Sequence, residues 1–145
     1  MKKSRYTFDR KKLQNHFGKV QTTVLEWFGR DVRRAAKKRL LKPTQARKTS
    51  KPGESPVSRT GTLKNLIFYE LDPVRGVVIG PVQFKGQSKG AKALEYGGRT
   101  TVKDKGKKKP VTIEARPFMQ PAFEKVKETL PDKWRRAREK FANGR

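Results

Sequence analysis

The feature that most constrains this chain is a hydrophobic stripe at helical spacing near its N-terminus. Leu13, Phe17, Val20, Val24, Phe28, Val32 and Ala35 recur at intervals of three and four. That spacing sets them on one face of a helix, and the pattern predicts a long helix over residues 9–41. Asp9 suits its N-cap, Gly18 and Gly29 weaken its interior slightly, and Pro43 marks its end. The opposite face carries Arg30, Arg33, Arg34, Lys37 and Lys38. A membrane-surface helix has a similar amphipathic, basic pattern. Packing on a sheet is the preferred reading, because the chain downstream supplies strands that need covering.

A second stripe occupies the C-terminal region: Met119, Phe123, Val126, Leu130, Trp134, Ala137 and Phe141. It stays in phase across Pro131, which favours one kinked helix, although Thr129 and Asp132 also suit a restart there. Between the stripes the chain reads as short strands. Ile67–Leu71 and Val77–Gly80 flank the turn-forming Asp72-Pro73-Val74-Arg75-Gly76, a hairpin signature. Ala93–Tyr96 suggests a helical turn ended by glycines. Arg99–Val102 and Pro110–Glu114 form the arms of a second hairpin whose tip is the basic stretch Lys103–Lys109. Residues 42–58 are rich in Pro, Ser, Thr, Lys and Gly without apolar periodicity, and read as a long, mobile, basic loop. The expected fold is α+β in one domain over residues 1–145: a long N-terminal helix, an antiparallel sheet of two hairpins, and a kinked C-terminal helix.

Charge bounds the function. The chain of 145 residues holds 38 Lys and Arg against 13 Asp and Glu, a formal net charge of +25. Such a protein repels its own copies and attracts polyanions: nucleic acid, an acidic protein surface or an anionic membrane. Residues 1–48 alone carry 16 Lys and Arg against Asp9, Glu26 and Asp31. Apolar residues make up only 32%, which leaves a thin core and no run long enough to span a membrane. No secretory signal is expected, because no apolar stretch follows the basic start. The absence of cysteine excludes disulfides and thiolate metal sites, and a single histidine, His16, argues against a His-based triad or zinc site.

Chemistry-bearing motifs are missing. Gly86-Gln87-Ser88-Lys89-Gly90 has the wrong spacing for a phosphate loop, and there is no H-E-x-x-H or nucleophile elbow. Asp72 and Glu114 on neighbouring strands could hold Mg²⁺ in a nuclease, but two acids on a sheet are more often pairing and solubility residues. No enzyme, cofactor or metal site is expected. No helix-turn-helix or zinc-finger pattern points to sequence-specific DNA reading. Tyr6, Phe8, Trp27 and Trp134 could stack on bases, with core packing the competing role. Phosphate contact through Arg33, Arg34, Lys37 and Lys38, or through Lys105, Lys107, Lys108 and Lys109 at the hairpin tip, suits the charge.

Three short stretches stand out in order. Ser58-Arg59-Thr60-Gly61-Thr62-Leu63 offers a sharp turn at Gly61 with Thr60 or Thr62 as cap. Ala93-Leu94-Glu95-Tyr96-Gly97-Gly98 is a turn closed by glycines, with Tyr96 expected to pack and Glu95 to pair with a cation. Ala115-Arg116-Pro117-Phe118-Met119-Gln120-Pro121-Ala122-Phe123 opens the last helix, with Pro117 at its first position, Pro121 at a second start and Phe118 plugging the junction. Together these stretches resemble the lambdoid-phage tail-completion and head–tail joining family, of the minor tail protein Z type, over roughly residues 58–130. The basic insertion at Lys103–Lys109 and the extreme charge depart from that pattern. The resemblance implies a virion protein of the neck or tail, assembled in the host cytoplasm. It further implies a homo-oligomeric ring around the DNA path, with other neck and tail proteins as partners and Arg59 and the 42–58 loop reaching a neighbour. Charge alone fits a general, non-specific nucleic-acid-binding protein equally well.

Overall fold

The computed structural model describes residues 10–44, 49–72, 76–82, 90–104 and 106–142, those at 12, 13 and 102–104 by their backbone. It is an α+β arrangement built on one long helix, α1 (Arg10–Arg39). A short helix α2 (Thr62–Asn65) leads into strands β1 (Ile67–Asp72) and β2 (Gly76–Pro81). Helix α3 (Gly90–Tyr96) precedes strands β3 (Gly98–Asp104) and β4 (Lys107–Ile113), and helices α4 (Met119–Lys127) and α5 (Leu130–Ala142) follow. Asp9, the turn residues Pro73–Arg75 and Lys105 lie outside the described residues, as do Tyr6 and Phe8.

Helix α1 is the spine. Its buried apolar side chains are Val20, Val24, Phe28, Val32 and Ala36, one every fourth position, and Leu40 just past its end continues the series. The sequence pattern therefore finds the right face with two corrections: Phe17 is exposed, and the stripe continues through Ala36, Ala35 being only partly buried. Val20 and Val24 pack on Ala137 of α5, with Trp27, Leu130 and Phe141 around them. Phe28 and Val32 meet Val126 of α4 together with Val77 and Ile79 of β2. Phe28 also meets Phe123 edge to face at 5.5 Å. Ala36 and Leu40 close on Ile67, Phe118 and Ala122.

The hairpins pair as expected, Ile67 with Pro81 through Asp72 with Gly76, and Gly98 with Ile113 through Asp104 with Lys107. They form two separate two-stranded sheets among the described residues, and not the single sheet expected. The first lies on α1, where Gly29 permits close approach: a Cβ there would sit 2.6 Å from Tyr69 Cδ2 and 2.8 Å from Val77 Cγ2. The second has no comparable contact with α1 and follows directly on α3, and the described side chains from Gly106 through Pro110 are exposed. The expected basic tip is also shorter, because Lys107, Lys108 and Lys109 are strand residues of β4.

At the C-terminus the single kinked helix becomes two. Pro131 lacks the N–H that would continue the ladder to the Lys127 carbonyl. The break falls just before it, at Glu128 and Thr129. Thr129 donates from its amide (2.9 Å) and hydroxyl (2.7 Å) to the Val126 carbonyl, closing α4. Its own carbonyl accepts the Lys133 amide at 3.1 Å and so starts α5. The apolar phase survives the break because both helices lie along α1.

The described part of residues 42–58 holds no helix and is tied at several points. Leu41 and Val57 form a parallel bridge, with Leu41 donating to Pro56 O and Ser58 donating to Leu41 O. Gly53 donates to Ala115 O at 2.9 Å. Ser50 is buried.

Candidate functional site

Two of the three ordered stretches meet at the N-terminus of α4, and the third, residues 58–63, borders α3 across a cavity. A helix start leaves amide donors unsatisfied, and an anion placed there meets both the donors and the positive end of the helix dipole. Here the anion comes from a different element. The Glu95 carboxylate, near the end of α3, accepts the amides of Phe118 (2.9 Å), Met119 (3.0 Å) and Gln120 (2.7 Å). Glu95 is buried. Its role is therefore to cap a distant helix, and the cation expected beside it is replaced by backbone. The α4 N-cap is Phe118, which makes no side-chain cap bond itself. Pro117 precedes the cap, correcting its expected first helical position, and Pro121 sits inside the first turn without opening a second helix.

Around that cap the chain is pinned repeatedly. Arg116 donates its amide to Leu94 O (2.6 Å) and its Nε to Ser50 O (3.2 Å). Gly97 has φ +75°, and a Cβ there would lie 3.2 Å from both Ala115 N and Ile113 O. Only glycine meets both demands easily. Phe118 is fully buried against Ala36, Leu40, Ile67 and Ala122, as its junction role requires. Tyr96 departs from expectation: it is 73% exposed. Gly61 takes φ +74° as the N-cap of α2. Gly61 has no side chain to cap with, and the Thr60 hydroxyl accepts the Thr62 amide at 3.4 Å, at the first residue of α2; the Thr60 and Thr62 hydroxyls also bond each other at 2.8 Å. The loop and α3 face one another across a cavity of about 440 Å³ lined by Ser58, Arg59, Thr60, Leu63, Pro81 and Leu94.

The candidate cationic residues separate into groups. Arg33 is part of the fold: its Nε donates to Ile67 O at 2.8 Å, and its guanidinium lies 5.5 Å from the Phe68 ring centroid. Lys37 is half-buried. Burial pushes its ammonium pKa below the ordinary lysine value, and repulsion from Arg33 and Lys64 adds to this. Arg34 and Lys38 are exposed on α1, with Arg34 3.8 Å from Asp31. Arg59 is exposed at the cavity rim. Lys107, Lys108 and Lys109 are exposed at consecutive positions of β4, an element separate from the α1 group. The sequence reading missed Arg39 and Lys125, which join Arg34 and Lys38 in a cleft between α1 and α4. Only the packing of the two helices unites them, and no sequence spacing signals it.

The arrangement is suited to holding anions. Asp72 ends β1 in one hairpin and Glu114 lies just past β4 of the other, so they are not on neighbouring strands. Among the described residues no group of three or more His, Asp or Glu side chains gathers as a metal site. Trp27 packs beside Val20, Val24 and Ala137, whereas Trp134 is 39% exposed. No described helix is long and apolar enough to cross a membrane. Comparison of the chain with protein-family models, curated proteins and solved structures finds no match.

Proposed function

We propose that this chain is a phage structural protein of the head-proximal end of the tail, acting in tail completion or head–tail joining as a ring around the DNA path. The observation that supports this reading is the linkage of the three stretches around α3 and the start of α4. The three stretches that carry the resemblance are far apart in sequence. They are physically linked through Glu95, Arg116 and the cavity beside Arg59. A shared junction gives a reason for such stretches to occur together and in order. It would hold the 58–63 loop, with Arg59, rigidly at the surface as a contact for a neighbouring subunit.

The net charge of +25 bears on how such a ring would form. Copies repel at low ionic strength, so association would await an acidic docking partner or DNA. The direct genetic test removes the gene from its phage. Filled heads and separate tails should accumulate, and added purified protein should join them into infectious particles. Normal particle yield without the gene contradicts the proposal. The second reading, a non-specific nucleic-acid-binding protein outside the virion, is favoured by the charge alone and predicts that normal yield.

A further inference from the structure

We propose that the cleft between α1 and α4 binds phosphodiester oxyanions of a nucleic-acid backbone, through Arg34, Lys38, Arg39 and Lys125. This inference stands apart from the virion reading, since a cleft of this chemistry would bind backbone phosphates wherever the protein acts. The cleft has a volume of about 380 Å³ and is walled by these four cations with a single acid, Asp31. That acid is already engaged: Lys133 donates to it at 2.6 Å, and Arg34 stands 3.8 Å away. Among the described residues neither Lys38 nor Lys125 has a carboxylate within ion-pair distance. Arg39 Nε is buried and has no hydrogen-bond acceptor among the described residues.

These observations point to a ligand together. The lining includes Ala35 and the buried Ala122, small residues that leave room between the helices. Arg39 is partly buried with its Nε fully so, and it lines the cleft, so less side-chain freedom is lost on binding than for a free lysine. Four cations facing one neutralised acid leave an excess suited to more than one negative charge. A run of phosphates supplies that, and a lone carboxylate does not.

The test measures binding of a mixed-sequence DNA duplex by fluorescence anisotropy across a salt series. It compares the full chain, Lys38→Gln with Lys125→Gln, and Lys107→Gln with Lys108→Gln as a control of equal charge change. All four lysines are exposed, so these variants should fold, which thermal melting checks. The cleft variant should bind about tenfold more weakly and lose about 2 from the salt slope, with the β4 control changing affinity much less. Equal losses in the two variants would overturn the proposal in favour of diffuse charge. Pyrophosphate should raise the melting temperature of the full chain and leave that of the cleft variant unmoved. Tighter cleft-dependent binding of poly-glutamate than of duplex would also overturn it, assigning the cleft to an acidic protein.

Discussion

Glu95 shows how one side chain can join two parts of a chain. Its carboxylate serves three α4 amides, and removing it leaves buried donors without an acceptor. Glu95→Ala should lower stability by about 3 kcal/mol, with Glu95→Gln losing less because one amide oxygen still accepts. Urea denaturation of both variants measures this. Equal stability of the alanine variant and the parent would show that water replaces the carboxylate. Phe118→Ala should cost about 3–5 kcal/mol as a truncation in a closed core. Lys37 gives a pH signature. Folding disfavours its charged form, through burial and then through Arg33 and Lys64. Between the lowered folded pKa and the ordinary unfolded one, the unfolded chain holds more protons, so stability rises as pH rises through that window. Lys37→Gln should therefore raise the melting temperature at neutral pH and flatten the alkaline rise. An unchanged profile would assign the pH response elsewhere. Residue type made the burial of Phe118 legible, but Glu95 was not. A glutamate before two glycines looks like any surface acid until the chain returns 23 residues later.

Among the elements, α1 was the most legible, because periodic burial over many turns leaves few alternatives. The two hairpins were legible from their turns and β-branched runs, yet their separation was not. Whether hairpins join depends on what each packs against, and here one lies on α1 while the other has no comparable contact with it. Apolar phase alone also misled at Pro131. Phase reports that a common surface is covered, and two helices along α1 cover it as well as one. Gly29 carries the element-scale prediction. An alanine in a helix interior normally gains about 1 kcal/mol over glycine. At Gly29 the added Cβ meets Tyr69 and Val77 below 3.0 Å, so Gly29→Ala should instead destabilise by about 1–3 kcal/mol. Gly18, with nothing within 4 Å of an added Cβ, should show the ordinary stabilising gain. Measuring both by thermal melting separates helix propensity from packing, and a stabilised Gly29→Ala would place the hairpin farther from α1.

For the whole molecule, charge dominates and was fully legible, because it needs no fold to count. What the count could not give was placement. Arg33 is spent on a strand carbonyl and an aromatic ring, whereas Arg39 and Lys125 become neighbours only when α1 and α4 pack. The three ordered stretches were legible as stretches, but their linkage around α3 and the start of α4 emerges only in three dimensions. The proposed place of the protein, at the meeting of head and tail, is tested most directly by location. Virions purified from the phage that encodes it would be labelled with an antibody against the full chain and viewed by electron microscopy. Label at the head–tail junction is the predicted result. Absence from the particle, with the protein found on nucleic acid in infected cells, would contradict it.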